Sequence, residues 1–390
     1  MQRPLSSPRV APTVTAAQQW ERVLRAAAAD GASDIHCEPK EDGVLIRFRV
    51  DGETRDHASL GLAERDAFLA RGKIFAGMDI TEKRLPQDGR AAFEAEGRRL
   101  HIRASTLPTV HGESLVFRLL DQTMPNQSLE QLGLTPEEAD AVREALRGPA
   151  GLHYITGPTG SGKSTTLHAT LRVFDAGKRV LHALEDPVEY EVRAIRQTEI
   201  RERIGLTFAS ALRALLRQNP DVILVGETRD AETAQLAIRA ALTGHTVLST
   251  LHTNDALSAI PRLRDLGIES FLLAASLRLV AAQRLVRMLC PACRSRHPDN
   301  ARLRERHQAK DGNFMRAVGC PACRQRGYRG RVAIHEVIPM GRFLSLIAAD
   351  APAEELAALR DRLAIPTLRS RGVAAAATGL TTLEEIERVL

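Results

Sequence analysis

Residues 157–164 run Gly157, Pro158, Thr159, Gly160, Ser161, Gly162, Lys163, Ser164 and are followed by Thr165. They fit the phosphate-loop pattern G-x-x-x-x-G-K-[S/T], which limits the fold more sharply than any other stretch of the chain. Three glycines let the backbone turn tightly enough for several N–H groups to face one anion. Lys163 has the reach for β- and γ-phosphates, and the Ser164 hydroxyl has the chemistry of a Mg²⁺ ligand. Such a loop needs a buried strand before it and a helix after it. Leu152–Thr156 reads as that strand. Thr165–Phe174 reads as a helix whose positive end faces the phosphates. The motif therefore predicts an α/β fold and a nucleotide such as ATP.

The rest of the chain is consistent with a soluble globular protein of two or three domains. No apolar stretch is long enough to span a membrane, and residues 1–8 lack the apolar run of a secretory signal. A cytoplasmic location is expected. The net charge is +6, and Lys fills six of the 54 basic positions. The arginines are spread along the chain rather than clustered, so the charge reads as a solvated surface and not as a nucleic-acid footprint.

Residues 1–15 are rich in Pro, Ser and Thr and read as a disordered lead. Residues 16–121 read as one small α+β domain. It has a helix over 16–29, strands over 44–50, 99–104 and 114–120, and a helix over 64–77; Asp51-Gly52 is a hairpin turn. Residues 122–134, with Pro125 and Gly133, read as a linker. From 135 to 288 helices alternate with apolar strands at 152–156, 179–184, 222–225 and 246–250, the pattern of a parallel sheet covered by helices. Residues 289–330 hold two Cys pairs, and 331–390 read as a helical C-terminal region.

Hydrolysing a phosphoanhydride needs carboxylates for Mg²⁺ and the attacking water, and cations to offset transition-state charge. Two predicted strands end in acids. One ends at Glu185-Asp186-Pro187; the other ends at Gly226-Glu227, a Walker B arrangement with Glu in place of Asp. A third strand leads to His252, which could sense a γ-phosphate or cap a strand end. Arg213 and Arg217 are four apart on a predicted helix and share a face; phosphate contact and surface ion pairing both suit them.

Cys290, Cys293, Cys320 and Cys323 form two C-x-x-C knuckles with the spacing of a structural Cys₄ Zn²⁺ site. Thiolates around one ion would staple a segment too small for its own core. Cys37 reads as a core residue.

These blocks together resemble the secretion ATPase family of type II secretion systems and type IV pilus assembly. The likeness runs from about Ala29 to Leu390. It rests on the loop at 157–164, the Asp box Leu184–Tyr190, Walker B at Asp221–Asp230 and the His box Gly244–Asp255. In the N-terminal half it rests on Ala32–His36, Arg47–Gly52, Glu82–Arg90 and Ser105–Thr109. Ala333 stands where a Gly is typical.

The resemblance implies a PAS-like α+β N-terminal domain followed by a RecA-like P-loop ATPase domain with the Cys₄ zinc insert and a helical tail. It implies a cytoplasmic homohexamer, peripheral on the inner membrane through platform and anchor proteins, driving a secretion pseudopilus. The short N-terminal lead departs from the usual docking domains. By the same likeness Arg90 and Arg103 reach the phosphates on domain closure, with Arg213 and Arg217 contributing. Glu185 and Glu227 divide the water-orienting and Mg²⁺ roles in an order left open, and His245 and His252 fill the His box. The Cys₄ site separates the chain from retraction ATPases; pilus extension stays as the alternative. A RecA-like nucleic-acid motor with a zinc ribbon is disfavoured by the scarcity of aromatics for base stacking. Intact Lys163, Ser164, Glu185 and Glu227 argue against a scaffold without turnover.

Overall fold

The computed structural model describes residues 14–95, 97–121, 127–174, 177–189, 191–309 and 311–390. The expected disordered lead lies almost wholly outside these residues, as do residues 122–126 of the expected linker and Tyr190 of the Asp box. The chain divides into two compact units, 1–123 and 124–390.

The first unit is an antiparallel sheet with two helices packed on it. Its strands are β1 (Ala32–Lys40), β2 (Gly43–Val50), β3 (Glu53–Gly61), β4 (Gln87–Ala95), β5 (Arg98–Thr109) and β6 (Gly112–Asp121). They lie in the order β3-β2-β1-β6-β5-β4. Helix α1 (Ala16–Asp30) opens with a capping box between Thr15 and Gln18. Helix α2 is Leu62–Phe75. Trp20 fixes how the helices meet the sheet: its ring stacks on Phe68 at 4.5 Å and on Phe117 at 4.6 Å. Its Nε1 donates to the Phe68 carbonyl at 2.6 Å. Cys37 is buried in this core, as its apolar setting predicts.

The second unit is a seven-stranded sheet between two helical layers. The strands are β7 (Gly151–Thr156), β8 (Leu181–Glu185), β9 (Arg196–Glu199), β10 (Val222–Val225), β11 (Thr246–Leu251), β12 (Leu277–Leu289) and, after the two-residue pair β13 (Ser295–Arg296) and β14 (Met315–Arg316), β15 (Tyr328–Pro339). Their order is β15-β12-β7-β11-β10-β8-β9. All neighbours are parallel except β12 and β15. Successive residues of a strand feed opposite cores. Ile223 and Val225 of β10 join one core, and Val222 and Leu224 join the other. Burial on both faces is why these strands read as unbroken apolar runs.

Helices α3 (Pro136–Arg147) and α4 (Lys163–Leu171) supply side chains to the second of these cores; α5 (Phe208–Leu215), α6 (Ala231–Leu242), α7 (Ala259–Asp265) and α8 (Ser270–Ser276) supply the first. Helix α9 (Asn300–Arg306) belongs to the Cys segment. The chain ends in α10 (Leu344–Ala348), α11 (Ala353–Arg362), α12 (Leu368–Ala377) and α13 (Leu383–Val389). Among the described residues no helix is long and apolar enough to cross a membrane.

The structure corrects three expectations. Residues 331–339 are strand, not helix: Val332, Ile334, Val337 and Ile338 suit a pleated surface, and β15 closes the sheet edge against β12. The sheet therefore extends beyond residue 288, and the Cys segment is an excursion between two adjacent antiparallel strands. The supposed linker is not all linker, because Leu129 and Leu134 are buried beside α3.

Candidate active site

Four parallel neighbours, β7, β11, β10 and β8, end on the same edge of the sheet. Their carboxyl ends carry, in order, the phosphate loop, His252, Glu227 and Glu185. Neighbouring strands are about 4.8 Å apart, so these groups fall along a shallow row. Ligands of such sheets bind at this edge.

The loop is shaped by contacts as well as by glycine freedom. Gly157 has φ +152° and Gly162 has φ +85°. A Cβ on Gly157 would lie 2.5 Å from the Gln283 carbonyl oxygen, and one on Gly162 would lie 2.9 Å from Gln283 Nε2. Only glycine fits both places. Lys163 opens α4, two residues earlier than the sequence pattern predicts. Its Nζ donates to the carbonyls of Gly157 at 2.8 Å and Pro158 at 3.1 Å. Burial brings the Lys163 pKa down to about 8; Glu227 and Glu189 pull it up and Arg284 pushes it down. Ser164 and Thr165 are half-buried in the first helical turn, where N–H groups and the helix dipole favour an anion. Gly160 and Ser161 complete the curve with Thr159, which is exposed.

The other strand ends are tied to this loop. Thr156 Oγ1 meets Thr253 Oγ1 at 2.7 Å and accepts from the Thr253 amide at 2.9 Å. The Glu227 segment is stitched to β11: Thr228 N donates to Thr250 O at 3.0 Å, and Thr250 Oγ1 donates to Gly226 O at 2.8 Å. Glu227 Oε1 lies 2.8 Å from His252 Nε2, and Oε2 lies 2.8 Å from the Arg229 guanidinium. Burial alone would raise the Glu227 pKa, but Arg229, His252 and Lys163 outweigh it and hold the group below its usual value. Glu227 is thus kept as a carboxylate facing the phosphate side. Glu185 is only 5% exposed. His168 Nε2 of α4 lies 3.0 Å from its Oε2, and Gln197 Nε2 of β9 donates to its Oε1 at 2.9 Å. An ionised carboxylate has about four acceptor positions, so these two contacts orient it without using it up.

Not every expected residue lies on this edge. His245 precedes β11 and so sits at the opposite end of the strand from His252. Its Nδ1 is 3.0 Å from Ala240 O and 3.2 Å from Thr243 Oγ1, the contacts of a helix-end cap for α6. Arg213 pairs with Glu232 of α6. Helix α5 stops at Leu215, and Arg217, in the tighter turn that follows, donates to the Arg213 carbonyl at 3.0 Å. Among the described residues neither arginine forms an ion pair with Glu185 or Glu227.

In the first unit, Arg90 of β4 and Arg103 of β5 are direct cross-strand partners, and Arg103 is also opposite Arg118 of β6. Direct partners share a sheet face, so three guanidinium groups form one row. Arg118 Nε donates to Asp34 Oδ1 at 3.0 Å. Arg118 escaped sequence reading because its place is set by register, not by spacing.

The four paired cysteines come together. Their Sγ atoms all lie within 4.8 Å of one another. Cys290–Cys320, Cys293–Cys323 and Cys320–Cys323 are separated by 3.9, 3.7 and 3.8 Å. A tetrahedral ion with Zn–S near 2.3 Å needs sulfur separations of about 3.8 Å. The donor set therefore fits Zn²⁺. Burial would raise the Cys323 thiol, but the amides of Gly327 and Cys320 aimed at its sulfur lower it, while its neighbour Cys293 is raised. Within residues 290–327, Phe314 is the one large apolar side chain among those described that is buried.

Known proteins resemble this chain. The family described as "Type II/IV secretion system protein" matches residues 13–388. Type II secretion system protein HxcR of Pseudomonas aeruginosa is 49% identical over 368 residues, 94% of this chain and 76% of that protein. Type II secretion system ATPase E of Vibrio cholerae is 44% identical over 370 residues, 94% of this chain and 74% of that protein. The solved structure of the Legionella pneumophila ATPase DotB matches with a TM-score of 0.70 at 22% identity, covering 98% of this chain and 97% of that one, a likeness of fold. The chain belongs to the type II/IV secretion system protein family.

Proposed function

We propose that this chain is an ATP hydrolase that powers pseudopilus assembly and protein export by a type II secretion system. The observation that carries the reading is the row of strand ends bearing Lys163, His252, Glu227 and Glu185, in a chain that is 44–49% identical to type II secretion proteins over nearly its whole length. Lys163 and the loop amides hold the β- and γ-phosphates. Ser164 and the ionised Glu227 would hold Mg²⁺, whose charge would offset that of the transferring phosphoryl group. Glu185, aimed by His168 and Gln197, orients the attacking water and accepts its proton. His252 links Glu227 to the γ-phosphate position.

The working form is a homohexamer at the cytoplasmic face of the inner membrane, held there by platform and anchor proteins. The Cys₄ site holds Zn²⁺ as a structural staple. A Lys163→Ala allele in the native strain tests this reading. Export of secreted proteins is lost and surface pili are unaffected. Loss of pilus extension with export intact would instead support a pilus assembly role.

A further inference from the structure

Strand β12 places two consecutive polar residues against the phosphate loop, Gln283 and Arg284, 2% and 7% exposed. Gln283 uses both ends of its amide. Nε2 donates to Ser161 O at 2.7 Å, and Oε1 accepts from Thr166 Oγ1 at 2.8 Å. The two contacts bracket Lys163 in sequence, one before it and one after. Arg284 turns the other way. Its Nη2 donates to Asn254 O at 2.8 Å, in the segment that follows His252, and its Nη1 donates to Gln283 O at 3.0 Å. The same Nη1 would be 3.2 Å from a Cβ on Gly157. Among the described residues Arg284 forms no ion pair. Buried cations are ordinarily paired, because water no longer offsets their charge. A guanidinium has five N–H donors, and two are accounted for. Asp255 acts on the guanidinium through space without an ion-pair contact, so N–H donors remain for an anion that arrives at the loop.

We propose that Gln283 and Arg284 are positioning residues for ATP turnover: Gln283 clamps the phosphate loop in its curve, and Arg284 adds a fixed positive charge beside Gly157 while tying β12 to the His252 segment. The proposal rests on the ATP hydrolase reading above. Arg284 acts on the polyphosphate through Lys163 and the loop, so its contribution grows with the charge of the nucleotide. It also bears on Lys163 directly. Three charged groups act on that ammonium: Glu227 and Glu189 favour its charged form, and Arg284 opposes it. Removing the Arg284 charge therefore raises the Lys163 pKa.

The test uses the full chain and compares Arg284→Gln, Arg284→Lys and Gln283→Ala with the parent. Binding of ATP, ADP and AMP is measured by calorimetry, and kcat/KM for ATP is followed from pH 6 to 10. Arg284→Gln weakens ATP and ADP about tenfold or more and AMP less than about threefold, and Arg284→Lys restores most of the loss, as a charge effect in a water-poor site requires. The alkaline limb of kcat/KM, which reports the free protein, moves to higher pH in Arg284→Gln and stays in place in Arg284→Lys. Gln283→Ala lowers kcat with the alkaline limb unmoved. Equal weakening of all three nucleotides, or an alkaline limb that stays put in Arg284→Gln, would overturn the proposal. Should Arg284→Gln not fold, Arg284→Lys must fold and keep ATP binding within about threefold of the parent; a larger loss overturns the charge role. A parent that neither binds nor hydrolyses ATP would instead remove the reading on which the proposal stands.

Discussion

The phosphate loop and the Cys₄ cluster are both short motifs of a few residues, yet they are held in opposite ways. The loop sits on the edge of a sheet buried on both faces, and its neighbours fix it through Gln283, Thr156 and the ends of β10 and β11. The Cys segment leaves the sheet between β12 and β15 with one large buried apolar side chain among its described residues, and its coherence comes from four converging sulfurs. It is also tethered from outside. Leu289 N bonds Leu380 O, Arg294 bonds Gly379 O, and Arg287 pairs with the buried Glu385 at 2.7 Å. Side chains on the sheet edge can be lost at the expense of chemistry alone. Ligands of the cluster can be lost only at the expense of local structure.

The sharpest attempt to break this contrast is to neutralise the acids. Glu227→Gln and Glu185→Gln each lower kcat by about 10²–10³-fold, while each shifts Tm by less than about 5 °C. In Glu227→Gln the loss is partly recovered by raising Mg²⁺, because a carboxylate of its shell is gone. In Glu185→Gln added Mg²⁺ does nothing. The same response from both variants would merge the two roles.

The converse experiment removes the metal. Chelation, or Cys320→Ser, releases one zinc per chain and makes residues 290–327 open to protease, since binding energy is folding energy in such a segment. ATP affinity of the sheet edge changes less than about threefold, because the two sites share a strand but no ligand. Protease resistance after zinc removal would show that the tethers to Gly379, Leu380 and Glu385 suffice.

Titration sharpens the contrast more gently. With the Lys163 pKa down at about 8, ATP affinity of the free protein falls as pH rises through that value, since the uncharged amine no longer attracts phosphate. Zinc content is constant across the same range, because thiolates are favoured at high pH. Affinity independent of pH between 7 and 9.5 would contradict the placement of Lys163.

The smallest effect is expected at His245, at the far end of the strand that leads to His252. His245→Ala costs about 1 kcal/mol of stability through the lost cap of α6 and changes kcat less than about threefold. His252→Ala lowers kcat by more.

The ease with which each part could be read in the sequence follows the same physics. The loop, the Cys pairs and the apolar strands announce themselves locally: left-handed glycines, paired thiols and β-branched runs carry their meaning within a few residues. Gln283 and Arg284 carry none locally, since the atoms they hold lie 117 to 122 residues away for Gln283 and 30 away for Arg284. Arg118 joins Arg90 and Arg103 only through strand register. His245 shared a motif with His252, but an extended strand of six residues carries the two to opposite sheet edges. Residues 331–339 carry the β-branched residues of a strand, but the partner that makes them one, β12, lies across the Cys excursion, so the sequence groups the segment with the helices that follow.

The central claim is that the carboxyl edge of the sheet turns over ATP. Its most direct measurement is Mg²⁺-dependent phosphate release by the assembled, zinc-loaded full chain, beside Lys163→Ala at the same zinc content. The account predicts steady hydrolysis by the parent and a loss of about 10³-fold in the variant with Tm unchanged within about 3 °C. Equal turnover by both, or an inert parent, would contradict it.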